Sequence, residues 1–285
     1  MNYRHAFHAG NHADVLKHLV LLALMDSLKK KDTPFFVLDT HAGRGRYLLA
    51  TTESRKTGEA DAGIVKLMGE AKMPDVVERY LRAVEANNPV GALIAYPGSP
   101  LLVAQALREQ DRLAACELQP EEAAALKELF AHDARVAVHA RDGYGAIKAM
   151  LPPKLGNAKF ARGLVLIDPP YEVQDNEYPQ IISSVREAME RWPQATYAIW
   201  YPIKLRRSLQ PFFRKAAALP GKSVMLAELQ VRADDSPLRL NGSGMVIINP
   251  PWKFDQQLAP ALPVLKKALG EASASIRLEW LKSGD

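Results

Sequence analysis

The sequence predicts an α/β fold in which helices cover both faces of a mostly parallel, twisted β-sheet. From residue 112 onward, short apolar runs alternate with longer amphipathic segments, the pattern of successive strand–helix units. The run Gly163–Asp168 (GLVLID) is apolar up to its last residue, as expected of a strand buried on both faces. Two late strands, 222–231 and 244–249, have no helix between them. We therefore expect an antiparallel hairpin at one edge of the sheet.

The composition is that of an ordinary globular protein. Hydrophobic residues make up 48% and charged residues 24% of the 285 residues, which suits the single domain over residues 1–285 that we expect. No stretch reaches 18 uncharged apolar residues, so a membrane span is not indicated. One cysteine, Cys116, excludes an internal disulfide framework and favours a cytoplasmic protein. The net charge of +5 and the pI of about 9.2 favour an anionic partner such as nucleic acid.

Turn residues divide the chain into the expected elements. Strands are predicted at 35–39, 112–118, 135–139, 163–168, 195–201, 222–231 and 244–249. Helices are predicted at 13–31, 60–71, 74–87, 100–110, 120–130, 143 to about 150, 178–191, 203–218 and 256–269. Residues 51–96 hold two of these helices and no strand, so we interpret them as a helical insertion subdomain. Residues 1–12 form an N-terminal arm, 96–100 (YPGSP) a turn, and 151–162 a loop.

Acidic residues stand where four successive predicted strands end. They are Asp39, Glu117, Asp142 and Asp168. Ligands of open α/β sheets bind at the edge where the carboxyl ends of the strands meet, so these carboxylates are expected to line one site. Each one alone is better explained as a helix cap or a loop carboxylate, but the set of four favours a site. Glu117 can accept hydrogen bonds from ribose hydroxyls, and Asp142 can accept one from an adenine amine.

A glycine-rich turn with Gly43 and Gly45 follows the first strand. Glycines at this place let the backbone approach a ligand closely. The spacing matches neither the GxGxxG dinucleotide fingerprint nor the GxxxxGK[ST] phosphate loop. The turn therefore argues against a dinucleotide-dependent oxidoreductase.

The stretch Asp168-Pro169-Pro170-Tyr171 ends the core strand in a stiff extended segment. Asp168 and the carbonyl of Pro169 are both hydrogen-bond acceptors. Two acceptors can bind the two protons of an aromatic amine, make its nitrogen more nucleophilic and stabilise the positive charge that develops on it. Asp168 can then receive or relay a proton, and Tyr171 offers a ring on which a base can stack. The stretch is equally well explained as a strand followed by a proline turn with a capping aspartate, so the rest of the chain has to decide between the two interpretations.

These motifs, taken in order, resemble the class I S-adenosylmethionine-dependent amino-methyltransferases. More closely, HAFHAGNHADVLKH (5–18), LDTHAGRGRY (38–47), YPGSPL (96–101) and LIDPPYE (166–172) resemble the RlmJ family, over nearly the whole chain. The resemblance implies a Rossmann-like class I methyltransferase fold, S-adenosyl-L-methionine as cofactor, and N6 methylation of an adenine in 23S ribosomal RNA. It implies no membrane, no DNA and no obligate protein partner.

The resemblance also implies roles for individual residues. The cofactor would be bordered by Lys17, His18, Asp39, His41, Gly43, Ser99, Glu117, Asp142, Gly143 and Asp168. Asp168, Pro169 and Tyr171 would be catalytic, and Tyr3 and Arg4 of the arm would reach the RNA. Arg44, between the loop glycines, must point away from the cofactor.

Three features allow other interpretations. Asn249-Pro250-Pro251-Trp252 has the same pattern as the catalytic stretch, but it follows the last predicted strand, whose carboxyl end would lie at the opposite edge. The histidines at 5, 8, 12 and 18 suggest a metal, but their spacing and the lack of cysteine partners argue against zinc, and we expect no metal. The cations Lys204, Arg206, Arg207, Arg214 and Lys215 can bind RNA phosphates or simply face solvent.

Other functions remain open from the residues alone. A DNA or other nucleic-acid amino-methyltransferase would use the same chemistry, but no target-recognition domain for DNA is visible. A non-catalytic RNA-binding protein would have no need of an intact DPPY stretch. Methylation of RNA is therefore the favoured interpretation.

Overall fold

The computed structural model describes residues 8–49, 58–171, 174–236 and 240–284. The strands are β1 (Phe36–Asp39), β2 (Arg46–Leu48), β3 (Ala95–Pro97), β4 (Arg112–Glu117), β5 (Val136–Ala140), β6 (Lys154–Leu155), β7 (Ala158–Lys159), β8 (Gly163–Ile167), β9 (Thr196–Ile203), β10 (Val224–Gln230), β11 (Gly242–Ile248) and β12 (Ser275–Lys282). The helices are α1 (His12–Lys29), α2 (Lys66–Met68, after a π-helical turn Asp61–Val65), α3 (Asp75–Glu85), α4 (Ser99–Ala106), α5 (Pro120–Leu129), α6 (Gly143–Met150), α7 (Gln174–Arg191), α8 (Gln210–Ala217), α9 (Phe254–Leu258) and α10 (Ala261–Leu269).

Eight strands form one sheet in the order β12-β10-β11-β9-β8-β1-β4-β5. The five strands from β9 to β5 run parallel, and β11 runs antiparallel to β9. β10 and β12 then alternate in direction. The predicted Rossmann-like α/β sheet with an antiparallel hairpin is confirmed.

The structure corrects the predicted elements in three places. The prediction lacks β12, which pairs with β10, so the hairpin of β10 and β11 lies inside the sheet and not at its edge. The turn predicted at 96–100 is partly wrong, because β3 pairs with β2 in a small antiparallel sheet. The helix predicted at 203–218 starts at residue 210 after a 3₁₀ turn (Arg206–Leu209), because β9 continues to Ile203, which pairs with Gly242.

Smaller differences concern the ends of elements. The helix predicted at 100–110 ends at Ala106, and the one predicted at 256–269 is divided into α9 and α10 near Pro260. The loop predicted at 151–162 contains the two-residue strands β6 and β7.

Helices cover both faces of the sheet, as the buried strand β8 requires. One apolar core lies between the sheet and α1, α3, α4 and α10, and the other lies between the sheet and α6, α7 and α8. No helix in the described part of the chain is long and apolar enough to cross a membrane.

Helix α1 is buried along most of its length, including its polar residues Asp14, Lys17 and His18. The side chain of Asn11 caps its N-terminus by accepting hydrogen bonds from the backbone N–H groups of Ala13 (2.9 Å) and Asp14 (3.0 Å). Asn11 is therefore the N-cap of this helix. Because the helix is buried on several sides, polar groups in its first two turns point into the protein.

A buried glutamate ties together the three strands next to the predicted RNA surface. Glu228 of β10 is fully buried and accepts a hydrogen bond from the hydroxyl of Tyr201 on β9 at 2.8 Å. The Tyr201 ring passes over Gly244 of β11, where an added Cβ would lie 2.3 Å from the ring. Arg206 and Arg277 reach the other oxygen of Glu228, at 3.4 and 3.8 Å. Gly244 thus provides the space that lets Tyr201 donate a hydrogen bond to a buried carboxylate.

We expect Gly244→Ala to lower the free energy of unfolding by roughly 2–4 kcal/mol, because the displaced Tyr201 ring overpacks the sheet and Glu228 loses a donor. Urea unfolding measures this. Ser243→Ala is the matched control, since Ser243 is the neighbouring residue, is equally buried, and its hydroxyl has no hydrogen-bond partner among the described residues. Equal losses in the two variants would contradict the role given to Gly244.

Candidate active site at the carboxyl edge of the sheet

Asp168 follows β8 and is held by the side chain of Lys17 from α1. The Lys17 ammonium donates to Asp168 Oδ2 at 2.6 Å and lies 2.9 Å from Asp14 Oδ1. The Lys17 side chain is 5% exposed and that of Asp168 is 14% exposed. Burial lowers the pKa of Lys17, but the charges of Asp14 and Asp168 outweigh burial and hold it well above its ordinary value. Lys17 is therefore a buried ammonium shared by two carboxylates.

Two residues at this point are absent from the sequence prediction. Asp14 completes the triad, and its other oxygen accepts a hydrogen bond from the backbone N–H of Gly10 at 3.0 Å. The Trp200 ring of β9 lies with its centroid 5.9 Å from the Lys17 ammonium. The spacing of three residues between Asp14 and Lys17 is a sequence signal for an ion pair on one helical face. No sequence signal places Trp200 beside them.

Asp39, at the end of β1, is fully buried. It accepts a hydrogen bond from the Ser99 hydroxyl at 2.6 Å and one from the backbone N–H of His41 at 3.3 Å. Burial, reinforced by the nearby charge of Asp168, raises the pKa of Asp39 to about 7. The structure thus brings together Asp39, Ser99 and Asp168, as predicted, in a site where negative charge is costly.

The glycine turn after β1 is joined to the end of β4. Gly43 has a φ of 60°, and its backbone N–H donates to Glu117 Oε2 at 2.9 Å. A Cβ on Gly43 would lie 2.1 Å from the Tyr47 hydroxyl, so only glycine fits there. Arg44 turns outward and donates twice to the carboxylate of Glu122, at 2.9 and 2.7 Å. Its bulk therefore leaves the edge clear, as predicted.

Glu117 and Asp142 both have structural partners at the edge. Glu117 also accepts a hydrogen bond from the backbone N–H of Gln119 at 2.7 Å, and burial raises its pKa. Asp142 is exposed and caps α6 by accepting from the backbone N–H of Gly145 at 2.6 Å. A Cβ on Gly143 would lie 2.1 Å from the Thr40 carbonyl oxygen, so α6 packs closely on the turn after β1. Each carboxylate keeps lone pairs that can accept further hydrogen bonds.

The two histidines of the prediction lie in different surroundings. His41 is half-buried, with Nδ1 2.8 Å from the Thr40 hydroxyl and its ring 5.4 Å from that of Tyr144. Burial lowers the pKa of His41 to about 4, so it is neutral at pH 7. His18 is fully buried, with Nδ1 2.8 Å from the Tyr96 hydroxyl. This contact directs that ring nitrogen toward β3.

Tyr171 differs from the freely accessible ring that stacking suggests. Its ring is 4% exposed, and its hydroxyl donates to the carbonyl of Trp200 at 2.5 Å. The rings of Trp200 and Tyr178 lie 5.6 and 5.5 Å from it. Its φ of 48° is uncommon for a residue other than glycine. The two prolines before Tyr171 and the hydrogen bond of its hydroxyl to Trp200 hold this strained conformation.

The predicted RNA-binding residues are only partly described. Lys204 and Arg207 are exposed after β9, whereas Arg206 is engaged with Glu228 and with the Ser275 hydroxyl. Tyr3 and Arg4 lie outside the described residues. Among the described residues, no group of three or more histidine, cysteine, aspartate or glutamate side chains is placed to hold a metal ion.

The second proline motif lies at the opposite edge, as predicted. Ile248 of β11 pairs with Tyr197, near the start of β9, so Asn249 follows at the amino ends of the parallel strands. The Asn249 side chain accepts from the backbone N–H of Lys222 at 2.9 Å and donates to the carbonyls of Pro193 and Ala195, both at 3.0 Å. It ties turns together and is remote from Asp168.

A family model described as "Ribosomal RNA large subunit methyltransferase D, RlmJ" matches residues 32–282. The chain belongs to the RlmJ family. A relative named "Ribosomal RNA large subunit methyltransferase J" from Haemophilus influenzae is 43% identical over 283 residues, covering 99% of each chain. A protein of the same name from Escherichia coli is 42% identical over 282 residues, with the same coverage.

The RlmJ fold is also shared with a solved structure. Protein LPL1258 from Legionella pneumophila is 34% identical, with a TM-score of 0.85 over 98% of this chain and 99% of that chain. The similarity thus extends beyond the matched residues to α1, which carries Asp14 and Lys17. The RlmJ family assignment confirms the resemblance and makes the chain a methyltransferase.

We expect Asp39→Asn to remove part of the pH dependence of folding stability. The pKa of Asp39 is about 7 in the fold and about 3.9 in an unfolded chain, so the stability linked to its proton is present below pH 4 and is lost as the pH rises to 7. Relative to the wild type, the variant should therefore gain in free energy of unfolding between pH 4 and 7. Urea unfolding across this range measures it. Asp75→Asn, at the exposed start of α3, is the control. A difference in free energy of unfolding between Asp39→Asn and the wild type that stays constant from pH 4 to 7 would contradict the prediction.

Proposed function

We propose that this chain transfers the methyl group of S-adenosyl-L-methionine to N6 of an adenine in 23S ribosomal RNA. The observation that carries the proposal is Asp168, an acceptor at the end of a core strand that a buried ammonium holds in place. Membership of the RlmJ family supports it, as do the relatives named ribosomal RNA large subunit methyltransferase J.

The residues at the carboxyl edge fit the proposed cofactor. S-adenosylmethionine supplies an electrophilic methyl group on a positively charged sulfur when it is bound. Asp39 and Asp168 offer negative charge to that sulfonium and to the amino group of its methionine part, with Ser99, Lys17, His18 and His41 around them. Glu117 suits the ribose, while Asp142 and Gly143 suit the adenine. Gly43 and Gly143 leave the space that a Cβ would fill.

Asp168 and Pro169 supply the acceptors for the target amine. Oδ2 of Asp168 accepts a hydrogen bond from the Lys17 ammonium, which leaves Oδ1 to accept one from an N6 proton. The Pro169 carbonyl can accept the second proton. Acceptors on both protons localise the nitrogen lone pair, which is otherwise delocalised into the ring, and they stabilise the positive charge that develops on the nitrogen. Asp168 then accepts or relays the proton that the methylated amine loses.

Lys17 has a positioning role in this scheme. Its ammonium fixes the direction of the Asp168 carboxylate, and Asp14 fixes the ammonium in turn. A carboxylate fixed before the substrate arrives needs no reorganisation during the reaction. The N6 amine approaches beside this pair.

The aromatic residues beside Asp168 suit an adenine that has left its stack. Tyr171 and Trp200 form an edge-to-face pair next to the catalytic stretch, and the Tyr171 ring must become accessible for a base to stack on it. Lys204 and Arg207 are placed to bind the phosphates on either side of the target. Arg206 would add only the part of its guanidinium that does not contact Glu228 or Ser275. Tyr3 and Arg4 of the arm are proposed to contact the RNA as well.

We also propose one methyltransferase domain over residues 1–285, with a helical insertion at 51–96 and an arm at 1–12. Contacts between the end of the arm and the insertion support a shared role in substrate binding. Ile64 donates its backbone N–H to the carbonyl of Gly10 at 2.9 Å, and Glu59 contacts His8 at 2.9 Å. Neither DNA nor an obligate protein partner is part of the proposal, and a ribosomal RNA substrate fits action in the cytoplasm.

Asp168→Asn should lower methyl transfer by roughly 10²- to 10⁴-fold, because the variant loses the charge that stabilises the amine and accepts its proton. The assay uses methyl-labelled cofactor with unmodified ribosomal RNA or with DNA, followed by digestion to nucleosides and identification of the labelled one. Methyl transfer is measured at saturating cofactor, because the variant also loses a charge that faces the sulfonium, and thermal melting checks the fold. Undiminished turnover in the variant, or label in a nucleoside other than N6-methyladenosine in the wild type, would overturn the proposal.

Glu117→Ala should weaken cofactor binding about tenfold, equivalent to about 1.4 kcal/mol, because a charge-assisted hydrogen bond to the ribose is lost. Calorimetry with the cofactor measures it. Glu122→Ala is the matched control, since it removes the carboxylate that binds Arg44 of the same glycine turn and leaves the proposed ribose position unchanged. Unchanged affinity in Glu117→Ala, or equal losses in the two variants, would remove Glu117 from the ribose site.

A further inference from the structure

The turn Asn249–Lys253 holds a tryptophan out of the protein. Trp252 is 82% exposed, which makes it the most exposed aromatic residue in the described part of the chain. The next residue in the turn, Lys253, is exposed, and Phe254 is fully buried at the start of α9. A single exposed apolar side chain is common on protein surfaces, so the case for a partner rests on the backbone of this turn and on the charges beside the ring. The active site described above does not use this residue.

The turn is rigid and strained. Asn249 and Lys253 have φ angles of 53° and 56°, both in the left-handed region that residues other than glycine rarely adopt. The Asn249 side chain makes three hydrogen bonds to neighbouring backbone, and its carbonyl accepts from the Thr196 hydroxyl at 2.8 Å. Pro250 and Pro251 fix the backbone between them. Strain held by this many contacts points to a functional requirement at Trp252.

Lysine residues lie beside Trp252. The Lys253 ammonium lies 4.2 Å from the centroid of the indole ring, a cation–π contact that covers one face of the ring. Lys222 is exposed and its backbone N–H is bonded to Asn249, so a second cation lies beside the turn. Lys282 donates to the carbonyls of Leu219 and Gly221 close by. The acidic residue nearest in sequence is Asp255, in the first turn of α9.

An aromatic ring with flanking cations has the chemistry that binds unpaired nucleotides. The free face of the indole can stack on a base of any identity, and the lysines can hold the adjoining phosphates. Because the turn is already rigid, binding orders little more of the protein. These features favour RNA over a protein partner, for which the two exposed lysines beside one ring would be poorly suited.

We propose that Trp252, Lys253 and Lys222 form a second contact for the substrate RNA, which stacks an unpaired nucleotide distant from the methylated adenine. The inference rests on the proposed function and extends it to the opposite edge of the sheet, about 20 Å away, the length of a strand. A substrate long enough to reach both edges would be held at both, whereas a short fragment would reach only Asp168.

Two RNAs test the proposal: unmodified full-length large-subunit ribosomal RNA and the shortest fragment that the wild type still methylates. Trp252→Ala should raise KM for the long RNA by roughly 5- to 150-fold, the range expected for the loss of one base–aromatic stack, and leave kcat unchanged. Both constants for the short fragment should be unaffected. Trp252→Phe should keep KM for the long RNA close to the wild-type value, because a phenylalanine ring can also stack on a base. Trp280→Ala, which removes a partly exposed tryptophan of β12, is the matched control.

Filter binding of the long RNA, without cofactor, keeps this test separate from the test of methyl transfer. If the wild type methylates no RNA, the proposed function fails, yet weaker RNA binding by Trp252→Ala than by Trp280→Ala would still support the second contact. Equal RNA binding by these two variants overturns it. An equal loss of activity of Trp252→Ala on long and short RNA also overturns it, because such a loss would mean an effect through the fold. A change in self-association with RNA binding unaltered overturns it as well, because that result would mean a protein interface.

Discussion

The shared ammonium of Lys17 is the interaction on which the site depends. An isolated buried charge would be strongly unfavourable, but Lys17 lies between Asp14 and Asp168 at hydrogen-bonding distances, so its charge is compensated. The contact joins the second turn of α1 to the end of β8, two elements far apart in sequence. The helix that forms one side of the apolar core therefore also fixes the carboxylate at the proposed reaction centre, and a shift of α1 would move both.

The direction of each strand decides what its terminal residues can do. β8 and β11 are each followed by a carboxylate or amide residue, two prolines and an aromatic residue. Because β11 is antiparallel to β9, the two stretches lie at opposite edges of one sheet. Asp168 contacts Lys17 and lies at the same edge as the other strand-end carboxylates, whereas the side chain of Asn249 forms hydrogen bonds with backbone groups of neighbouring turns. Four matching letters thus have different uses, and topology separates them.

Local patterns in the sequence predict most of the sheet and the meeting of Asp39, Glu117 and Asp168 at one edge, because strand periodicity and strand ends are local signals. The place of Ser99 beside them is implied only by the resemblance to the RlmJ family. What depends on distant packing is missed. β12 is half-exposed and, among the described strands, pairs with β10 alone, so its sequence lacks the apolar run of a core strand. Trp200 and Asp14 reach the site through the placement of β9 and α1, and the burial of Tyr171 follows from its bond to Trp200. No sequence signal places Trp200 at the site or predicts the burial of Tyr171. The spacing of Asp14 and Lys17 indicates their ion pair but not its contact with Asp168.

The carboxyl edge carries an unfavourable concentration of negative charge, and this has a consequence for binding. Asp39 is buried with a hydroxyl and a backbone N–H as its partners, and its pKa of about 7 reflects burial and the nearby Asp168. Lys17 offsets only part of this repulsion, since it is already shared by two carboxylates. A positively charged ligand placed between Asp39 and Asp168 would relieve the repulsion and favour the ionised form of Asp39. On the proposed function that ligand is a sulfonium, whose charge is lost when its methyl group leaves. The edge would then hold the neutral product less firmly than the charged cofactor, which favours release after transfer.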